Sequence, residues 1–203
     1  MKKKLGLTQV CEILLRQNLI TKEQKDSILL KEESQKNKLT KLNAFKNNAS
    51  ELIYKDILPS DIIIDLKIPN QKTGEGYLTE ETIMRAVADM LSIPFKKIDP
   101  LELDIEVVTR TVSKAFAIRN LAVPIEVKNN ELKVAMVDPL DSEVLDDIKK
   151  ATEQGMEANL QMGKNHLYLS DEVIANAATV SNIGADNLHT LVEAVKELSE
   201  NPT

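Results

Sequence analysis

Residues 122–147, AVPIEVKNNELKVAMVDPLDSEVLDD, narrow the possible folds more than any other stretch of this chain. Two runs, 123–128 and 132–137, alternate apolar and polar side chains around the pair Asn129-Asn130. Alternation of period two marks a half-buried strand, and Asn tolerates the positive φ that a tight hairpin demands of its central residues. The second run must stop at Asp138-Pro139, because proline has no N–H for a ladder and biases the residue before it away from helix. Asp141 or Ser142 can cap the helix that follows, in which Val144, Leu145 and Ile148 form an apolar stripe. A hairpin running into an amphipathic helix seeds a small α/β layer, and none of its side chains reads as a reactive group.

Upstream, the pattern is helical. Residues 8–18 read as a short helix with Thr8 as N-cap, Val10, Ile13 and Leu14 facing inward, and Asn18 ending it in the left-handed conformation. Thr21 and Gln24 have capping-box spacing, so a second helix starts there and runs to about Gln35. Residues 34–48, SQKNKLTKLNAFKNN, are polar and rich in Lys and Asn and read as a linker or loop. Pro59-Ser60-Asp61 starts another short helix, and residues 67–76 form a loop. Gly76-Tyr77-Leu78-Thr79 then repeats the pattern of Asn18-Leu19-Ile20-Thr21: a turn residue, two apolar residues and a Thr cap before an amphipathic helix. In that helix Ile83, Val87, Met90 and Leu91 predict one buried stripe, and the pair of copies reads as a degenerate internal repeat.

Downstream, residues 103–120 predict two short helical pieces, capped near Asp104 and at Thr111 or Ser113. Gly155 closes the helix after the hairpin, 158–162 is a candidate third strand, and Ser170-Asp171-Glu172 caps a further helix to about Ala178. A small-residue hinge over 180–186 precedes a last helix whose Leu188, Leu191, Val192, Val195 and Leu198 share one face.

Composition excludes several classes. With aromatics at 3% and no Trp, the chain has few platforms for base stacking, which argues against a nucleic-acid binder. One cysteine, Cys11, permits no internal disulfide and favours a reducing, cytoplasmic compartment. No segment approaches the roughly 20 apolar residues of a membrane-spanning helix, so membrane association is expected only through a partner. The net charge of −6 is uneven: residues 1–50 hold 11 Lys/Arg against 5 Asp/Glu, leaving 15 against 27 beyond them. A basic head on an acidic body suggests that the head meets something acidic, and reads equally as a solvated face with a poorly ordered lysine-rich loop.

No constellation of reactive groups stands out. Cys11 has no nearby His and reads as a structural thiol, and His166 and His189 lie in no ligand-spaced cluster. The D-P-x-D of Asp138 and Asp141 reads as a turn and a helix cap. Asp146 and Asp147 are adjacent on one helix and point to different sides. No catalytic, cofactor-binding or metal-binding residue is therefore expected, and no cofactor.

Taken together, LTEETIMRAVADMLSIPFKKIDP and VSKAFAIRNLAVPIEVKNNELKVAMVDPLD resemble the N-terminal domain of the type II secretion and type IV pilus assembly ATPases (the secretion ATPase E family). ILLRQNLITKEQKDSILL is similar to an earlier part of that domain. The resemblance implies a bacterial protein that docks a hexameric ATPase onto the cytoplasmic domain of an inner-membrane secretion or pilus platform protein. Its own C-terminal ATPase domain would follow the hinge; these residues carry no G-x-x-x-x-G-K-[ST] loop. Some relatives use two copies of a motif like R-L-G-x-x-L-x-x-x-G-L-I-[TS] to bind cyclic diguanylate. Laid on that pattern, the first copy has Gln9, Cys11 and Asn18 at the Arg and Gly positions, and the second has Lys67, Pro69 and Gly76.

The fold expected is α+β: a helical N-terminal region followed by a small three-stranded α/β domain. The divisions expected are 1–48, a helical segment with a Lys-rich linker; 49–100, a helical region; 101–178, the α/β domain; and 179–203, a linker helix toward the ATPase domain. The function expected is non-catalytic docking at the cytoplasmic side of the inner membrane, with Leu14, Leu15, Arg16, Ile28 and Leu29 at the partner contact. The alternative is a sensor for cyclic diguanylate.

Overall fold

The computed structural model describes residues 4–46, 56–95, 97, 107, 112–128, 131–150 and 179–182. They fall into two compact units that divide after Phe95.

The first unit is helical. α1 spans Leu7–Arg16 and buries Leu7, Val10, Cys11, Ile13 and Leu14. Its N-cap lies two residues earlier than its sequence suggests: it is Gly6, whose N–H donates to the Gln9 side chain at 2.9 Å, and Thr8 lies inside the helix. α1 ends as expected at Asn18, whose φ is 58°. Leu19 N–H donates to Leu14 C=O and Asn18 N–H to Leu15 C=O, the paired bonds of a Schellman ending. α2, Lys22–Leu30, opens on the predicted capping box: Gln24 N–H donates to Thr21 Oγ1, and Thr21 N–H to Gln24 Oε1.

α3, Glu32–Lys46, is a correction. The stretch from 34 that reads as a loop is helix, entered through Lys31 with right-handed backbone (φ −92°, ψ −2°). Glu, Lys, Gln, Leu and Ala are strong helix formers, no Gly or Pro interrupts them, and Glu32 and Glu33 sit where the helix dipole favours acid. Lys36 pairs with Glu32 one turn back, and Gln35 and Lys38 both reach Asp65.

α4, Pro59–Asp65, starts with proline at its first position, and Leu58 N–H donates to Asp61 Oδ2. A loop follows, pinned by an isolated antiparallel bridge between Pro69 and Tyr77. α5, Glu80–Leu91, is capped by Thr79, whose Oγ1 accepts from Thr82 N–H at 3.2 Å. Its buried side is Ile83, Met84, Ala86, Val87 and Ala88; Met90, expected inside, is 37% exposed. The core contacts α5 over a broad arc centred on Val87, so Met84 rather than Met90 lies within it.

The second unit holds α6, Lys114–Asn120, capped by Ser113 Oγ, which accepts from Phe116 N–H. Then come β1, Ala122–Lys128, and β2, Glu131–Met136, paired antiparallel with a bulge between Pro124 and Glu126. That bulge is where proline has no N–H to offer the ladder. A helix over 142–150, α7, follows, with Asp141 rather than Ser142 as its cap: Val144 N–H donates to Asp141 Oδ1. Val107, Ala122, Leu132, Val134, Met136, Val144 and Ile148 form the core, with Val112, Phe116 and Leu145 against it. The α+β class is thus established by helices followed by an antiparallel hairpin and its helix.

The candidate strand at 158–162, the helices after Ser170 and Leu188, the piece near Asp104 and the Gly155 ending lie outside the described residues. A short strand β3, Thr179–Asn182, runs parallel to β2. It includes the first residues of the expected hinge, where Thr179 and Val180 bring β-branched side chains suited to a pleated ladder.

Candidate functional site

The internal repeat read from the sequence is a geometric fact. Asn18 and Gly76 both adopt positive φ, 58° and 70°. Each is followed three residues later by a Thr whose hydroxyl caps the next helix. The two turns meet: Gln71 N–H donates to Leu19 C=O at 3.1 Å, and Gln24 Nε2 donates to Pro69 C=O at 3.3 Å. Gln17 Nε2, beside the first turn, donates to Ala86 C=O in α5 at 2.7 Å. The turn after Asn18 therefore packs against the loop that begins at Pro69, one junction of the first unit.

The chemistry of the motif positions is mostly structural. Gln9 holds the start of α1, and the Cys11 side chain is fully buried. Burial pushes the Cys11 thiol up from the ordinary 9.0 to about 12, so the thiolate is suppressed near neutral pH. Lys67 ends α4 with a φ of 50°, and its N–H donates to Ile64 C=O. Pro69 offers a carbonyl and no N–H. The Asn70 side chain closes the loop, accepting from Lys72 N–H at 3.0 Å.

On the neighbouring surface, α1 and α2 are joined by the Lys25–Glu12 ion pair. The hydrogen bond and charge of Lys25 hold the Glu12 carboxyl below the usual carboxylate range, and Glu12 in turn raises Lys25. Of the five residues expected at a partner contact, Leu14 and Ile28 are completely buried and cannot touch a partner. They sit on the inward stripes of α1 and α2, where the same hydrophobicity that made them candidates commits them to the core. Leu15 and Leu29 are half-buried, and Arg16 is exposed. Sequence reasoning passed over Leu30, which is 87% exposed. The signal was present: Ile28 inward places Leu30, about 200° further round, outward.

In the second unit, Asp138 Oδ1 accepts from Leu140 N–H and Asp141 Oδ1 from Val144 N–H, the turn and cap roles read from D-P-x-D. Among the described residues no group of His, Cys, Asp or Glu could hold a metal ion, and no helix is long and apolar enough to cross a membrane. His166 and His189 lie outside the described residues.

Comparison with known proteins gives likenesses over part and over most of the chain. Residues 91–162 match the family model of the MshEN domain. A search of curated proteins finds no match. Among solved structures, that of MshE with cdg is similar at 19% identity and a TM-score of 0.47, covering 91% of this chain and 96% of that one. That of the N-terminal domain of XpsE is similar at 14% identity and a TM-score of 0.49, covering 96% and 98%. The matched residues include α6, the hairpin and α7, the segment where the sequence resemblance was drawn. Residues 91–162 are thus similar to the MshEN domain, and the resemblance to the N-terminal domain of the secretion ATPase E family holds.

Proposed function

We propose that this chain is a non-catalytic docking and regulatory module that recruits a secretion or pilus ATPase to the cytoplasmic domain of an inner-membrane platform protein. One observation carries the reading. The polar side chains that a sequence search would nominate for chemistry, Gln9, Thr21, Thr79, Asp138 and Asp141, are engaged in helix caps and turns, while Arg16, Lys22, Lys31 and Lys41 are exposed and Lys25 and Lys36 are half-buried in ion pairs. The contact then uses Leu15, Arg16 and Leu29, the surface members of the expected set. The motor, its hexameric ring and its ATPase activity belong to a C-terminal domain in this reading.

Capture of the chain on immobilised platform cytoplasmic domain tests it. Binding that disappears when residues 1–48 are deleted supports the reading; capture that survives the deletion refutes the placement, and absence of capture refutes the function.

A second reading, a cyclic diguanylate sensor, is favoured by one feature: Asn18 and Gly76 both hold the left-handed backbone that glycine would give the two motif copies. Against it stand Pro69, which has no N–H, and the buried Cys11 at the first glycine position. Calorimetry with the nucleotide separates the readings, micromolar binding promoting the sensor and silence at millimolar ligand removing it.

A further inference from the structure

α3 is a helix without a core of its own. No described side chain between 32 and 43 is fully buried; Glu32, Gln35, Lys36, Leu39 and Asn43 form a half-buried inner side, and the rest are exposed. A helix of 15 residues is marginal alone in water, and one that is polar all round either carries many side-chain pairs or bridges to something else. The Lys36–Glu32 pair and the links from Gln35 and Lys38 to Asp65 hold the inner side. The exposed side carries Glu33, Lys41 and Leu42, the last 45% exposed, with Lys38 beside them already paired to Asp65. Leu30 and Lys31, both exposed, precede it at the junction with α2. A single exposed leucine is ordinary on a protein surface. Leu30 differs in being the most exposed of the large hydrophobics among the described residues and in immediately preceding Lys31 and α3.

We propose that the outer face of α3, together with Leu30 and Lys31, docks an acidic protein segment that sets carboxylates around an apolar side chain. This rests on the docking reading above and names the chemistry of its partner. Charge complementarity selects the occupant: among the exposed residues from 30 to 42, Lys31, Lys38 and Lys41 stand against Glu33 alone, although Lys38 is shared with Asp65. Leu30 and Leu42 supply apolar area that is released from water on contact, while the lysines at the rim steer approach and exclude basic partners.

The test uses the full chain, fluorescently labelled, and a synthetic amphipathic helical peptide of roughly 18 residues with leucines on one face and glutamates beside them. A second peptide replaces every Glu by Gln, and vesicles of phosphatidylserine and phosphatidylcholine represent an anionic lipid surface. The expected result is binding to the Glu peptide and not the Gln peptide. That binding weakens about tenfold when salt rises from roughly 50 to 500 mM, and similarly in the variant Lys31→Glu/Lys41→Glu. Leu30→Ser weakens it with a smaller salt dependence. Circular dichroism checks that the variants remain folded. Equal binding of the two peptides, indifference to the charge reversals, or binding to vesicles alone overturns the proposal. On immobilised platform domain, a wild-type chain that is captured and a Lys31→Glu/Lys41→Glu chain captured equally well would sink this face while leaving the docking function standing. Failure to capture the wild type would sink the docking function itself.

Discussion

Leu14 and Leu30 show how little residue type says about role. Both are leucines on adjacent helices; one is 0% exposed in the core and the other 87% exposed. Leu14→Ala should cost about 2–5 kcal/mol through lost transfer energy and a cavity, whereas Leu30→Ala should change stability by less than about 0.5 kcal/mol. Denaturant titration of the two variants makes the comparison, and equal costs would contradict the burial pattern. Cys11 belongs to the same scale. Its folded thiol ionises near 12 and its unfolded one near 9.0, so its contribution to stability is complete below about pH 9 and is lost as the pH climbs toward 12. Over that window the folded state should lose up to about 1.4 kcal/mol per pH unit relative to Cys11→Ala. A thiol reagent at pH 8 should label the native chain only as fast as it opens, and immediate stoichiometric labelling would show the burial to be wrong.

Helix ends are where sequence and structure agree best, because their signals are local. Thr21 with Gln24, Thr79, Ser113 and Asp141 all cap the helices that follow them. Thr21→Ala and Thr79→Ala should each cost about 1 kcal/mol, read as a lowered denaturation midpoint. C-termini carry a less obvious device: Asn18, Lys67, Ser92 and Leu121 all have positive φ without being glycine. Ser92 is exposed and ends α5 with the same paired bonds as α1, Ile93 N–H to Ala88 C=O and Ser92 N–H to Asp89 C=O. Ser92→Gly should therefore stabilise by about 0.5–1 kcal/mol, and a loss of stability would mean that the serine side chain has a further role. What escaped the sequence is what depends on neighbours. Polarity and many Asn and Lys residues made 34–48 read as a loop, although its helix formers are tied to Asp65 of a helix that lies 27 residues from Lys38 in sequence. The stripe Ile83, Val87, Met90, Leu91 had the right period and the wrong centre, since only the packed partner decides which arc of α5 is inside. Leu14 and Ile28 fell out of the docking set for a related reason: hydrophobicity marks a side chain as wanting burial, and these two of the five had already found it.

At the scale of the molecule, the basic head is not a tail hung on a domain but the opening of a compact unit, Lys4–Phe95. Long-range bonds tie it together: Gln17 Nε2, at the end of α1, to Ala86 C=O in α5 crosses 69 residues, and Gln24 Nε2 in α2 to Pro69 C=O in the loop after α4 crosses 45. Ile28, Ile62, Ile63 and Ile83, drawn from three helices, are all completely buried. A unit of this size with its own apolar interior falls in the range that folds alone. A fragment of residues 1–95 should accordingly give a helical circular-dichroism spectrum and one cooperative denaturation transition, with an m-value in urea of about 1–2 kcal/mol/M. The same fragment should retain whatever platform binding the full chain shows, and lose it as salt is raised, since the residues proposed for the contact all lie within it. A broad, non-cooperative transition would mean that the helices need residues beyond Phe95 to pack. A cooperative fragment that does not bind would move the docking surface beyond Phe95, and the excess of lysine in the head would then require a different explanation.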